Sequence, residues 1–492
     1  MHGELDLAVK LEKLNAIGIA LSSERDLSRL LRMIVCEARS LTHCDAGSLY
    51  IVFGEQLRIE VSQSATLGES KLTPITFPIE KSRISGYVAA TGEWLNIEDV
   101  YHIPKDAEYS FTKDVDRAMS YRTKSVLAVP MRDHEDNIIG VLQLINALDQ
   151  KGEKVPENVI PFRQEYVDLV LSLASQAAVA IQNARLILEI KTLFASFIQF
   201  CTAAIDARDP TNAGHSRRVR ELAVRIADGI NQRKGGPFGD RTFSAEEIEA
   251  LSYAAWLHDF GKIAVSEAIL TKGNKLSDER VEAIKLRFRL ATKSLEALAA
   301  AGAISSEQQA IAARLDDDLN LVLDKVIPGP MSEAEANRLR EIAALRLDGI
   351  DDMAVPLLAA EDLKNLLIPR GSLTPEEYRQ VQTHVEHTAE FLRQIPFSGH
   401  LEDLANIAGS HHEMLDGSGY HRRLRGDDVT LQARILAVAD IFDALTASDR
   451  PYKKAHSVAS ALNILREMAA GGRLDADIVE LFAEEIRKSK NE

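Results

Sequence analysis

Cysteine is scarce in this sequence: Cys36, Cys44 and Cys201 are an odd set of three with no Cys-x-x-Cys spacing. A disulfide framework is therefore not expected, and the thiols read as reduced core or surface groups in a reducing compartment. Positive charge is also short. The 58 lysines and arginines face 74 aspartates and glutamates, a net charge of −16. Polymeric nucleic acid is not expected as a partner, because its phosphates would be repelled, although a small phosphodiester can still bind a local cluster of cations. No uninterrupted apolar run of ~18 residues occurs, as a membrane span would need. The opening stretch, MHGELDLAVKLEKLNAIGIA, places acids and lysines where a signal peptide needs an apolar block. The expectation is a cytoplasmic chain with no membrane partner.

What remains is an ordinary globular composition, 46% hydrophobic and 27% charged, over 492 residues. That length accommodates two or three domains, each with its own core. Residues 1–188 alternate helix and strand. Leu27 to Leu41 has helical spacing. GSLYIVF (Gly47–Phe53) with LRIEVSQ (Leu57–Gln63), and SVLAVPMRD (Ser125–Asp133) with NIIGVLQLINA (Asn137–Ala147), read as two hairpins. A helix follows from Tyr166 to Arg185. With ISGYVAATGEWLNIEDV and LASQAAVAIQNARL, these phrases resemble a GAF domain, which implies an α/β sensor with a central antiparallel sheet and an unknown small-molecule ligand. GAF domains that bind cyclic nucleotides carry Asn-Lys and later a Phe followed by an acid. Here Asn146 precedes Ala147, and Tyr166 stands four residues after Phe162. Cyclic-nucleotide sensing and a dimerisation domain with a small apolar pocket both stay open. His43, His102 and His134 have no ligand spacing and read as structural.

Leu186, Ile190, Leu193, Phe197, Phe200 and Ala204 recur at alternating spacings of four and three. That is a heptad seam on a helix continuing through 166–204. It reads as a parallel coiled coil joining two protomers, the alternative being packing against its own domain.

Residues 205–492 hold most of the chemistry. His215 stands near the start of an amphipathic helix. SAEEIEALSYAAWLHDFGKIAV begins with a capping box, Ser244 and Glu247, and carries His258–Asp259 and Lys262 before an apolar strand-like piece. His384 follows, then His411–His412 with the glycine-rich turn DGSGY, then Asp440, Asp443, Arg450 and Lys453. Imidazoles and carboxylates in this number suit divalent transition metals, and nearby cations suit phosphate oxygens. The order H…HD…H…HH…D, with DGSGY after the paired histidines, resembles the HD-GYP family, whose members hydrolyse cyclic di-GMP.

The resemblance implies an all-α metal-dependent hydrolase domain. His215, His258, Asp259 and Asp440 would hold one metal ion, and Asp259 would bridge to a second held by His384, His411 and His412. Two divalent ions per chain, iron or manganese, are implied. Lys262 would contact the scissile phosphate or aid the leaving oxygen, Tyr420 would stack a guanine, and Arg450 and Lys453 would grip phosphate oxygens. Asp443 could orient a ligand. His387 and His421 are extra histidines outside the set. Two departures stand out. His421 replaces the proline of Gly-Tyr-Pro, which should loosen that loop. Thr211 stands where members with three metals have glutamate.

A third irregularity lies between the metal motifs. KLSDERVEAIKLR (Lys275–Arg287) aligns without gaps with SLTPEEYRQVQTH (Ser372–His384), placing Arg287 in the register of His384. An insertion over about 276–371, helical by composition and broken at Pro328–Gly329–Pro330, follows from that repeat. It reads as a solvent-facing helical hairpin, or as a lid or partner surface. The expected activity is hydrolysis of cyclic di-GMP to pGpG, or onward to GMP, by a GAF-regulated homodimer. Its rivals are a weak or silent cyclic-dinucleotide receptor and a phosphodiesterase for another cyclic dinucleotide.

Overall fold

Alternation decides the sheet. In β1 (Cys44–Phe53) and β2 (Gln56–Ser64) the chain reverses at Gly54, whose φ of 57° suits a residue without Cβ, and the strands pair antiparallel from Phe53–Gln56 to Ala46–Ser64. The structure, a computed structural model, describes residues 2–69, 75–149, 158–208, 214–233, 235–239, 241–345, 356–447 and 455–488. Two compact units divide it, Met1–Phe194 and Ala195–Glu492.

In the first unit, β3 (Gly68–Glu69), β4 (Thr76–Pro78), β5 (Leu95–Ile97), β6 (Val126–Arg132), β7 (Ile138–Leu148) and β8 (Val159–Ile160) complete an antiparallel sheet of order β3-β2-β1-β7-β6-β5, with β4 on β2 and β8 on β7. Both expected hairpins form, the second closing where the Asp133 carboxylate accepts from the Glu135 and Asn137 amides. One face of the sheet is covered by α1 (His2–Ser23), α2 (Leu27–Thr42) and α5 (Gln164–Arg208), whose Leu30, Ile34, Leu173 and Ala177 enter one core. Leu57, Val88 and Val126 make a second core on the other side, under α3 (Ile84–Thr91). The short α4 (Asp114–Met119) lies before β6.

The 45-residue α5 is the one described helix long and apolar enough, by length and composition alone, to cross a membrane; its mean hydropathy over 18 residues is 1.5. A search for uninterrupted apolar runs passes over it because Glu189 and Lys191 intervene. Leu193 and Phe200 of its heptad seam are 71% and 69% exposed.

The second unit is helical. α6 (His215–Gln232), α7 (Ala245–Leu257), α8 (Glu267–Leu270), α14 (Pro375–Arg393), α15 (Leu404–Ala408), α16 (Leu431–Thr446), α17 (Val458–Ala470) and α18 (Ala476–Lys488) surround the histidines. Between α8 and α14 run α9 (Asp278–Ala300), α10 (Ser306–Ala312), α11 (Leu315–Val326), α12 (Glu333–Ala344) and α13 (Ala360–Leu366). These bury Ile284, Phe288, Val322, Leu339 and Leu366 in a core of their own. Arg287 does face a partner in the register of His384, but a different one. With Arg280 it pairs to the fully buried Asp362 of α13, Nη1 to Oδ2 at 3.1 Å. The two ends of this segment meet, the Ser372 hydroxyl donating to the Lys272 carbonyl at 2.5 Å.

Candidate metal centre

Six local structures build the cluster. α6 buries one stripe, His215, Val219, Ala223, Ile226 and Ile230, so its first residue points inward. The capping box of Ser244 and Glu247 starts α7, which ends at Leu257 and leaves His258 and Asp259 at its C-terminal edge. The expected strand-like piece after them is instead a 3-10 turn, Phe260–Ala264. Gly261 lets that turn touch α14, because a Cβ there would lie 1.9 Å from the His384 carbonyl oxygen. Pro375 and the Thr374–Glu377 capping box start α14, which carries His384 on its buried face. α15 delivers His411 and His412, and α16, capped by Thr430, carries Asp440 and Asp443 on one side.

The carboxylates of Asp259 and Asp440 each reach histidines on both sides of the cluster. Asp259 Oδ1 lies 3.2 Å from His384 Nε2, while its Oδ2 lies 3.5 Å from His258 Nε2 and 3.8 Å from His215 Nε2. Asp440 Oδ1 is 3.1 Å from His215 Nε2, and its Oδ2 is 3.8 Å from His412 Nδ1. Two sets of closely spaced donor atoms result, His215–His258–Asp259 and His384–His411–His412. Lys262 Nζ lies 2.8 Å from Asp259 Oδ2.

Ring orientation follows from backbone bonds. Nδ1 of His258, His384 and His411 meets the carbonyl three residues upstream, Ala255, Val381 and Ala408, at 2.7, 2.6 and 2.7 Å. A carbonyl can only accept, so Nδ1 carries the hydrogen and Nε2 offers a lone pair. The Nε2 atoms of His384 and His411 are buried with no hydrogen-bond partner. Such an orphan is costly unless something takes its lone pair. With nitrogen and carboxylate donors so close, the residues fit divalent transition metal ions.

Charge is arranged to match. Burial opposes ionisation of Asp259, yet the Lys262 ammonium and the His258 imidazole hold its carboxyl well below the usual range. Asp440 is likewise depressed against its burial, chiefly by the His215 hydrogen bond. Burial pushes His411 well down and His412 down to about 4, leaving both neutral at pH 7. For His215 burial is outweighed by Asp440 and Asp443, which raise it to about 9.

Of the residues expected in the site, His215, His258, Asp259, Lys262, His384, His411, His412 and Asp440 converge. Tyr420 joins them, its ring 4.8 Å from that of His412 at 37°. Arg450, Lys453 and Thr211 lie outside the described residues. His387 turns to Glu390 on its own helix, and His421 is half-buried beside the cluster. The loop that carries His421 is tied by Glu413, a buried carboxylate that accepts from the Arg422 and Leu424 amides at 2.7 and 2.9 Å. Sequence reasoning missed Glu413, although it directly follows the paired histidines. It also missed Thr388, whose hydroxyl joins the Gly261 amide to the His258 carbonyl. In the first unit, Asn146 spends its side chain on the Lys124 amide, the Tyr121 hydroxyl and the Arg122 carbonyl.

Residues 26–181 match the family profile of the GAF domain. Two HD-domain profiles match 212–345 and 340–478. The first span contains His215, His258 and Asp259; the second contains His384, His411, His412 and Asp440. Among curated proteins of Vibrio cholerae, the chain is 46% identical over 98 residues to 3'3'-cGAMP-specific phosphodiesterase 3, 20% of each chain. It is 37% identical over 119 residues to 3'3'-cGAMP-specific phosphodiesterase 1, 24% of this chain and 27% of that one. To a cyclic di-GMP phosphodiesterase it is 36% identical over 122 residues, 24% of each. The match thus spans about a fifth to a quarter of these relatives' length. Among solved structures, the GAF domain of a phosphoenolpyruvate-protein phosphotransferase from Coxiella burnetii aligns at 16% identity and a TM-score of 0.29, covering 36% of this chain and 94% of that one.

Proposed function

We propose that this chain, a GAF domain followed by an HD domain of the HD-GYP kind, hydrolyses cyclic di-GMP with two divalent metal ions, iron or manganese. The observation that carries the reading is Asp259, whose two carboxylate oxygens divide between His384 on one side and His258 with His215 on the other. His215, His258, Asp259 and Asp440 would hold one ion, and His384, His411, His412 and Asp259 the other. Ions held there supply Lewis acidity and a nucleophile at neutral pH.

The protein's own groups do the rest. Water oxygen bonds to phosphorus and gives up a proton to solvent, the bond from phosphorus to the 3′ oxygen breaks, and the 3′ oxygen leaves with a second proton. Lys262, 2.8 Å from Asp259, would give that proton or contact the scissile phosphate. Tyr420 offers an aromatic face for a guanine, and Arg450 and Lys453 bind phosphate oxygens. The product is pGpG.

A second reading is a 3'3'-cGAMP phosphodiesterase, favoured by the 46% identity of 98 residues to a relative so named. Parallel turnover assays with the two cyclic dinucleotides separate them: faster hydrolysis of cyclic di-GMP supports the first, faster hydrolysis of 3'3'-cGAMP the second. Binding of either without turnover would make the chain a receptor.

The GAF domain would be the regulatory half, taking a small ligand in the cytoplasm. The exposed seam of α5, Leu186 to Phe200, would pair with a second copy. Sedimentation equilibrium tests the dimer, and a monomeric chain would reject it; a ligand screen followed by turnover tests the regulation, and binders that never alter the rate would reject it.

A further inference from the structure

Among the site histidines, His215 is anchored differently. His258, His384 and His411 each fix Nδ1 on a carbonyl of their own preceding turn. His215 is the first residue of α6, and its Nδ1 instead meets the carboxylate of Asp443, Oδ2 at 2.7 Å. Asp443 stands one turn beyond Asp440 on α16. Arg218 stands one turn beyond His215 on α6. Its guanidinium takes both oxygens of Asp443, Nε to Oδ1 at 2.7 Å and Nη2 to Oδ2 at 3.1 Å. The two helices therefore face each other through two rungs, His215 with Asp440 and Arg218 with Asp443.

We infer that Arg218 and Asp443 are positioning residues that set the orientation and donor strength of His215, so that the metal position holding His215 depends in part on a charged relay. The inference rests on the metal-binding reading proposed above. A carboxylate beyond an imidazole fixes its tautomer and makes the ligating nitrogen a better donor, and loss of such a partner weakens a metal by about 10–100-fold. Arg218 acts one step further out. Its planar fork holds both carboxylate oxygens, so Asp443 cannot rotate away from the ring. Lysine at 218 would keep the charge but could not hold both oxygens.

The test is manganese affinity, measured by chelator competition on the full chain, with metal content by elemental analysis. Wild type is expected to bind two equivalents. Asp443→Asn and Arg218→Gln should each weaken one equivalent by about 10–100-fold and leave the other unchanged, and Arg218→Lys should recover part of the loss. Melting temperatures of the metal-free variants separate positioning from folding. Equal weakening of both equivalents in step with lost stability would make Arg218 structural and overturn the relay. Unchanged affinity in Arg218→Gln and Asp443→Asn would also overturn it. Wild-type protein that binds no manganese would instead sink the metal-binding reading itself.

Discussion

Replacing Gly261 with alanine should damage the site from a position that bears no ligand. The new Cβ would stand 1.9 Å from the His384 carbonyl oxygen and 2.5 Å from the Thr388 amide nitrogen. Non-bonded heavy atoms settle near ~3.5 Å, so the turn and α14 must part locally by roughly 1.5 Å. The Gly261–Thr388 hydrogen bond, 2.8 Å long, would stretch past breaking. Overpacking costs about 1–3 kcal/mol and the lost hydrogen bond about 1 kcal/mol. A total of about 2–4 kcal/mol corresponds to a fall in melting temperature of roughly 3–6 °C for a unit of this size. The same displacement opens the 3.2 Å approach of Asp259 to His384, so the bridge between the donor sets should fail and metal content should drop. Gly329→Ala is the control. Among the described residues a Cβ there would meet nothing nearer than the Ile327 carbonyl oxygen at 4.0 Å, and the variant's stability should stay within about 1 kcal/mol of wild type. Calorimetry of metal-free protein and elemental analysis of loaded protein give both readings. A Gly261→Ala chain with wild-type melting and metal content would refute the packing argument.

Two further outcomes concern protons and the inserted helices. With His215 raised to about 9, its metal-free imidazole is charged at pH 7, and a metal can use Nε2 only by displacing that proton. Manganese binding should therefore release close to one proton per chain at pH 7, and affinity at that position should rise with pH until about 9; calorimetry in two buffers of different ionisation enthalpy measures it, and zero release contradicts it. The sign for folding is opposite: the raised value stabilises the metal-free fold fully below the ordinary 6.5 and loses that contribution as pH climbs through 9. Removing residues 275–371, so that Asn274 joins Ser372, should leave a soluble, metal-binding chain, because Lys272 and Ser372 already touch and the removed helices bury their own core. Insoluble or metal-free protein from that deletion would show that these helices belong to the catalytic fold.

Much of this was legible because the signals are local. The strand pairs announce themselves by alternation around Gly54 and Asp133, and the helix start at Ser244 by a capping box whose two partners stand three residues apart. The clustering histidines and carboxylates were legible as motifs, since each histidine sits inside its own phrase. Ile263–Ala264–Val265 misled for the same local reason. A β-branched run suggests a strand, but contact with α14 through Gly261 holds it in a 3-10 turn. The contacts that escaped are long-range. Arg218 meets Asp443 across 225 residues and Gly261 meets Thr388 across 127, and no spacing rule joins them. Asp362 escaped as well, a buried acid that gives Arg280 and Arg287 a purpose in the register where His384 would be read.

On the proposed reading the paired donor sets would hold metal ions with Asp259 shared between them and would hydrolyse a cyclic dinucleotide. Protein purified without oxygen, loaded with iron or manganese and incubated with cyclic di-GMP, tests it by chromatography of the products. Wild type should yield pGpG, and Asp259→Asn should yield none while losing bound metal. No turnover with either metal, or turnover that persists in Asp259→Asn, would contradict the account.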